Sequence, residues 1–119
     1  LQQTAQQQAL FFRASWIADY PDAENYMAQY YSKNPSPPNY TRYNNPAFDI
    51  LYEKALGETN DSLRYILYRK MDQLVMNDAP VVPIWYDEVI HLVQPGITGF
   101  YPTSMNMLEL RTTDIPASK

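Results

Sequence analysis

A run of small, apolar and aromatic residues from Leu10 to Ala18, cut short by Tyr20-Pro21-Asp22, constrains this chain more than any other stretch. Such a run bounded by a turn signal reads as a strand, and a strand persists only beside a neighbour that takes its backbone hydrogen bonds. Asp22 then offers a side-chain acceptor to the free N–H groups of a following helix. The expected order is therefore strand, turn, helix. A ligand-facing group is expected at the junction, where a rigid scaffold presents side chains on a loop.

Side chains alternate along a strand. Arg13, Ser15 and Asp19 are thus expected on one face, with Leu10, Phe12, Ala14, Trp16 and Ala18 on the other. On pattern alone, Asp19 ends the strand and Arg13 is a solvated edge residue. The pairing of opposite charges on one face leaves a binding role open.

Helical periodicity dominates the chain between Asp22 and Pro80. Ala23, Tyr26, Met27, Tyr30 and Tyr31 recur at one-turn spacing, so Ala23 to Tyr31 is expected to be an amphipathic helix whose aromatic stripe is core. Asn45-Pro46 opens another, with Phe48, Leu51, Tyr52 and Ala55 on one face and Gly57 as its stop. Thr59 or Asn60 caps the longest helix, Asp61 to Asn77, whose inward stripe is Leu63, Ile66, Leu67, Met71, Leu74 and Val75. Arg64, Arg69, Lys70 and Asp72 read as its solvated face. Leu1 to Ala9, rich in glutamine, reads as a further short helix.

Between these helices, Ser32 to Asn45 holds Pro35, Pro37 and Pro38. Proline removes donors and sets φ, which predicts an irregular loop pinned to the body by Tyr40, Arg42 and Tyr43. Beyond Pro80, the runs Val81 to Tyr86 and Val89 to Val93 read as strands, Pro95-Gly96 as a turn, Ile97 to Tyr101 as short extended structure and Met107 to Leu110 as a last strand. These segments have no visible sheet partners, which marks the chain as a piece of a larger fold.

Composition excludes several functions. The 119 residues carry a net charge of -4, without the basic footprint that neutralises phosphates, so no nucleic-acid partner is expected. No run is long enough to span a bilayer. The absence of cysteine removes thiolate metal sites, and the single histidine, His91, stands outside any metal-ligand spacing. No cofactor is expected. The three glycines form no phosphate loop, and the serines lack a nucleophile elbow. Asp19 and Asp22 make a conceivable carboxylate pair, but Asp22 is better used as a cap, so the chain is read as no enzyme.

The succession of Arg13-Ala14-Ser15-Trp16-Ile17-Ala18-Asp19-Tyr20-Pro21-Asp22, Asn39-Tyr40-Thr41-Arg42-Tyr43, Asn45-Pro46-Ala47-Phe48-Asp49, Asn77 to Tyr86 and Val93 to Phe100 resembles the C-terminal part of the dipeptide/oligopeptide-binding family of ABC-transporter solute-binding proteins. The resemblance implies a mixed α/β fragment, about three helices and a few strands, of a two-lobed receptor that closes on its ligand. Residues 1–85 would belong to the distal lobe, and 86–119 would cross the hinge back to the first lobe. It further implies a periplasmic or extracytoplasmic protein, its leader in the parent rather than in this chain, with a peptide ligand and a membrane permease as partners. The whole protein is expected to be a monomer, with artificial dimerisation open to the fragment.

Residue by residue, the resemblance makes Asp19 the partner of the ligand's α-ammonium group, Arg13 a group facing the ligand's carboxylate end and Trp16 a pocket wall, with Ser15 and Tyr20 beside them. Two alternatives stand next to it: the same scaffold holding a non-peptide solute, and a carbohydrate-binding module or glycosidase piece that stacks sugars on its Tyr and Trp rings.

Overall fold

A computed structural model describes residues 4, 6, 8–103 and 107–115. The chain divides into two compact units, Leu1–Pro83 and Ile84–Lys119. Among the described residues, three α-helices and a two-stranded ladder give it the mixed α/β character expected.

The first unit is built on a helix pair. Helix α1 covers Glu24–Met27, α2 Pro46–Leu56 and α3 Asp61–Asp78. Asn45 caps α2 by accepting from the N–H groups of Ala47 and Phe48 at 2.9 and 3.3 Å, and Asn60 caps α3 by accepting from that of Leu63 at 3.2 Å. A short link through Gly57 makes α2 and α3 packed neighbours. Phe48 and Met71, both 0% exposed, meet between them, with Tyr52, Ala55, Leu67, Tyr68 and Val75 around. Helix α3 ends at Ala79, whose backbone sits in the left-handed region at φ 48° and donates to the Val75 carbonyl at 2.8 Å.

Aromatic rings fill the rest of this core. Tyr43 meets Phe48 edge-on, with centroids 5.7 Å apart, and Tyr30 meets both. Of the stripe read from periodicity as core, Tyr30 and Tyr31 pack ring against ring and Ala23 and Met27 lie against the core, whereas Tyr26 is 44% exposed. Of the three residues expected to pin the proline loop, Tyr43 is buried and Arg42 is exposed; the loop's main anchor is Asn39, only 2% exposed. The Asn39 amide donates to the carbonyls of Tyr31 and Tyr43 at 3.2 and 3.0 Å, and its oxygen accepts from the Tyr43 N–H at 3.0 Å. The Tyr43 hydroxyl in turn donates to Asp78 at 2.6 Å.

Four expectations are corrected. No strand forms over Leu10 to Ala18, nor over Val81 to Tyr86 or Val89 to Val93, because no neighbouring strand among the described residues takes their backbone hydrogen bonds. The single helix expected over Ala23 to Tyr31 is α1 followed by a 3₁₀ turn, Ala28–Tyr30, a usual tightening at a helix end. On α3, Leu63 and Ile66 are exposed and Tyr68 takes an inward place, since α2 covers the adjacent side of the helix. Arg64 is not merely solvated, for it pairs with Asp22 and Asp61. The helix expected over Leu1 to Ala9 lies largely outside the described residues.

The second unit is a small hairpin-like arrangement. Strand β1, Tyr101–Pro102, runs antiparallel to β2, Leu108–Glu109, and Thr98 bridges Asp114. Pro95-Gly96 makes the expected turn, with Gly96 at φ 96° and the Ile97 N–H donating to the Gln94 carbonyl at 3.3 Å. Gly99, at φ 70°, is required, because a Cβ there would lie 1.9 Å from the Thr112 carbonyl oxygen. His91 sits edge-on to Phe100 at 5.6 Å.

Candidate ligand-binding site

The segment that carries the candidate residues joins no ladder among the described residues, and alternation survives in part of its burial. Phe12, Trp16 and Ala18 are half-buried, whereas Phe11, Arg13, Ser15, Ile17 and Asp19 are exposed. Leu10 and Ala14 depart from the expected inward set and are exposed too. Partial burial of Phe12, Trp16 and Ala18 marks the inward side of the segment.

At the end of this segment the chain turns on Tyr20-Pro21-Asp22, where the Asp22 N–H donates to the Tyr20 carbonyl at 2.8 Å. Asp22 is the first anchor. One of its carboxylate oxygens accepts from the Glu24 N–H at 2.8 Å and the Tyr68 hydroxyl at 3.0 Å, and the other accepts from Arg64 at 3.0 Å. Its expected role at the helix start is realised in the bond to Glu24. Glu24 is the second anchor, accepting from the hydroxyls of Tyr52 and Tyr20. Burial, and then the bond to Glu24, pushes the Tyr52 phenol up; burial, and then the bond to Asp22, does the same for Tyr68. Both hydroxyls are donors throughout the neutral range.

The third anchor is Asn25, 6% exposed and set in the first turn of α1. Its side-chain oxygen accepts from the indole Nε1–H of Trp16 at 2.7 Å and from the backbone N–H of Asp19 at 3.3 Å. The two residues that alternation puts on opposite sides are thereby tied to one atom. Asp19 reaches the shared partner through its backbone, so its side chain remains exposed.

Tyr20, Asp22, Glu24, Arg64 and Tyr68, with Ala55 and Leu56 from the end of α2, line a recess of about 280 Å³ beside this turn. Among the predicted residues the structure gathers Trp16, Asp19 and Tyr20 onto the Asp22-Glu24-Asn25 framework, while Arg13 and Ser15 lie exposed earlier on the segment. Glu24, Asn25, Tyr52, Arg64 and Tyr68 were not among the residues the sequence singled out for the site. A signal did exist for Tyr52, a tyrosine on an inward stripe whose hydroxyl needs a partner. Among the described residues no group of His, Asp and Glu is placed to hold a metal ion, and no helix is long and apolar enough to cross a membrane.

Comparison with known proteins gives relatives of much greater length. Over 88 residues, 74% of this chain and 16% of the relative, it is 33% identical to the periplasmic oligopeptide-binding protein OppA of Escherichia coli. Over 104 residues, 87% of this chain and 19% of the relative, it is 24% identical to the dipeptide-binding protein DppE of Bacillus subtilis. It is also 32% identical, over 88 residues covering 74% of this chain and 16% of the relative, to a probable deoxycholate-binding periplasmic protein, YgiS, of Escherichia coli. No family model and no solved structure matches the chain.

Proposed function

We propose that this chain, which belongs to the dipeptide/oligopeptide-binding family of ABC-transporter solute-binding proteins, supplies one wall of a peptide-binding cleft, with Asp19 as the group that receives the ligand's α-ammonium. The observation that carries this reading is an exposed carboxylate on a fixed backbone: the Asp19 side chain reaches solvent while its N–H is tied to buried Asn25. A charge held in place on a wall needs no reorganisation when a cation docks, and closure of a second lobe over the pair would strengthen it by excluding water. The free amino end is the constant feature of peptides whose side chains vary. Trp16 and Tyr20 would form the wall around that amine, and Arg13 and Ser15 would meet the ligand further along the segment. In this reading residues 1–85 belong to the distal lobe, 86–119 return across the hinge, and the receptor works outside the cytoplasm and hands its ligand to a membrane permease. It binds and delivers, and it catalyses nothing.

The test is calorimetric titration of the full-length receptor with one short peptide in free and N-acetylated forms, alongside Asp19→Asn. Acetylation removes the ammonium and leaves the rest of the ligand nearly unchanged. The expected result is binding of the free peptide that either change weakens by about tenfold or more. Equal binding of both forms would refute the amine anchor.

A second reading keeps the scaffold and changes the solute. It rests on the similarity to the probable deoxycholate-binding protein and, over 86 residues at 31% identity, to the heme-binding protein A of Haemophilus influenzae. Failure of both peptide forms to bind, with retention of an apolar anion such as a bile acid, would favour it.

A further inference from the structure

We infer that Asn25 is the positioning residue of the site: by accepting two N–H groups on one buried oxygen, it sets where Asp19 stands relative to the Trp16 indole. The inference rests on the reading of Asp19 as the amine anchor.

The physical case starts from burial. Asn25 is 6% exposed, so its amide carbonyl is withdrawn from water and its hydrogen bonds are made with protein or lost. The Trp16 bond, at 2.7 Å, spans 9 residues of sequence, and the Asp19 bond, at 3.3 Å, spans 6. Both run from the unpaired segment back to Asn25, the buried residue of α1. Together the two bonds hold the end of the segment to α1. The contact is selective about what it holds. It takes the backbone of Asp19 and leaves the side chain exposed, and it takes the polar edge of a half-buried indole. Glu24 and Asp22, close to Asn25 in sequence, bind tyrosine hydroxyls of α2 and α3, which seats the first turn on the helix pair. The order of support runs from core to α1, from α1 to Asn25, and from Asn25 to Asp19 and Trp16.

Two variants separate this role from general stability. Asn25→Leu removes the acceptor at similar volume, while Asn25→Asp keeps an oxygen for both donors. In the full-length receptor, Asn25→Leu is expected to weaken free-peptide binding about tenfold, the size of one lost buried hydrogen bond. Binding of the N-acetylated peptide should stay where it was, so that the ratio between the two falls by the same factor, and Asn25→Asp should keep the ratio. A purely structural role would lower both affinities together or neither.

The second readout needs no ligand. In the 119-residue chain the Trp16 indole N–H is expected to be protected from hydrogen exchange and to lose protection in Asn25→Leu, with Trp85, whose indole donates to Asp87 at 2.9 Å, as the unaffected internal reference. An unprotected Trp16 indole in the unaltered chain would overturn the inference even if Asn25→Leu failed to fold. A receptor that discriminates the two peptides and does so by the same factor in folded Asn25→Leu would overturn this inference alone. A receptor that never discriminates them overturns the amine anchor and the positioning role with it.

Discussion

The two units of this chain are both rich in apolar side chains, yet only the first buries them. Tyr43, Phe48, Tyr52, Leu67, Tyr68, Met71 and Val75 close around α2 and α3, whereas no described residue from Ile84 onward is buried, and Tyr86 and Leu92 are 96% and 95% exposed. The difference lies in where each kind of backbone finds its hydrogen bonds. A helix satisfies its own N–H and C=O groups and needs a neighbour only for one face, which α2 and α3 provide to each other through a short link. An extended segment needs a partner for its backbone as well, and the described part of the second unit has only two-residue strands to offer. The Leu10 to Ala18 segment belongs by sequence with the first unit but resembles the second, except that side-chain bonds to Asn25 hold its end.

Three measurements break or sharpen this contrast. The largest effect is expected from Phe48→Ala, which empties the centre of the helix pair and should cost about 3–5 kcal/mol. Urea denaturation followed by circular dichroism checks it, and a loss below about 1 kcal/mol would mean that the pair is not held by its core.

Next comes pH. Burial, and then the bond to Asp78, pushes the Tyr43 phenol from its ordinary 10.0 up to about 12. A pKa raised on folding contributes stability that is complete below the unfolded value and is lost as pH rises through the folded one. The helical signal should therefore weaken between pH 10.0 and about 12, and Tyr43→Phe should make that loss shallower. Tyr52 and Tyr68, raised in the same direction, steepen it. A flat helical signal across this window would place the three phenols in water.

The smallest effect is expected in the second unit. Leu92→Ala, at a side chain already in solvent, should change stability by no more than about 0.5 kcal/mol. A clear destabilisation by calorimetric melting would reveal a core around Leu92 and dissolve the contrast between the units.

Much of the helical framework was legible before the structure. Asn45-Pro46 and Asn60 announce helix starts because a cap is a contact within three residues, and the stripes of α2 and α3 repeat at the helical period. Less of the site was legible. Asp19, Trp16 and Tyr20 stood out as a charged and aromatic cluster before a proline turn, but the residues that seat them did not. Asn39 and Asn25 look like ordinary loop and helix asparagines, and nothing local reports that each is buried with its polar atoms engaged. The strand reading over Leu10 to Ala18 erred because alternation reports which side chains face inward and is silent on whether a neighbour exists.

Local chemistry decides helix starts, turn positions and the alternation of the approach segment, since each depends on residues a few places apart whose backbone geometry is nearly the same in any context. Tertiary structure alone decides which hydroxyl meets which carboxylate. Tyr68 reaches Asp22 across 46 positions, Tyr43 reaches Asp78 across 35 and Tyr52 reaches Glu24 across 28. Those pairings depend on the angle at which α2 and α3 pack around Phe48 and Met71, and periodicity within one helix holds no information about that angle.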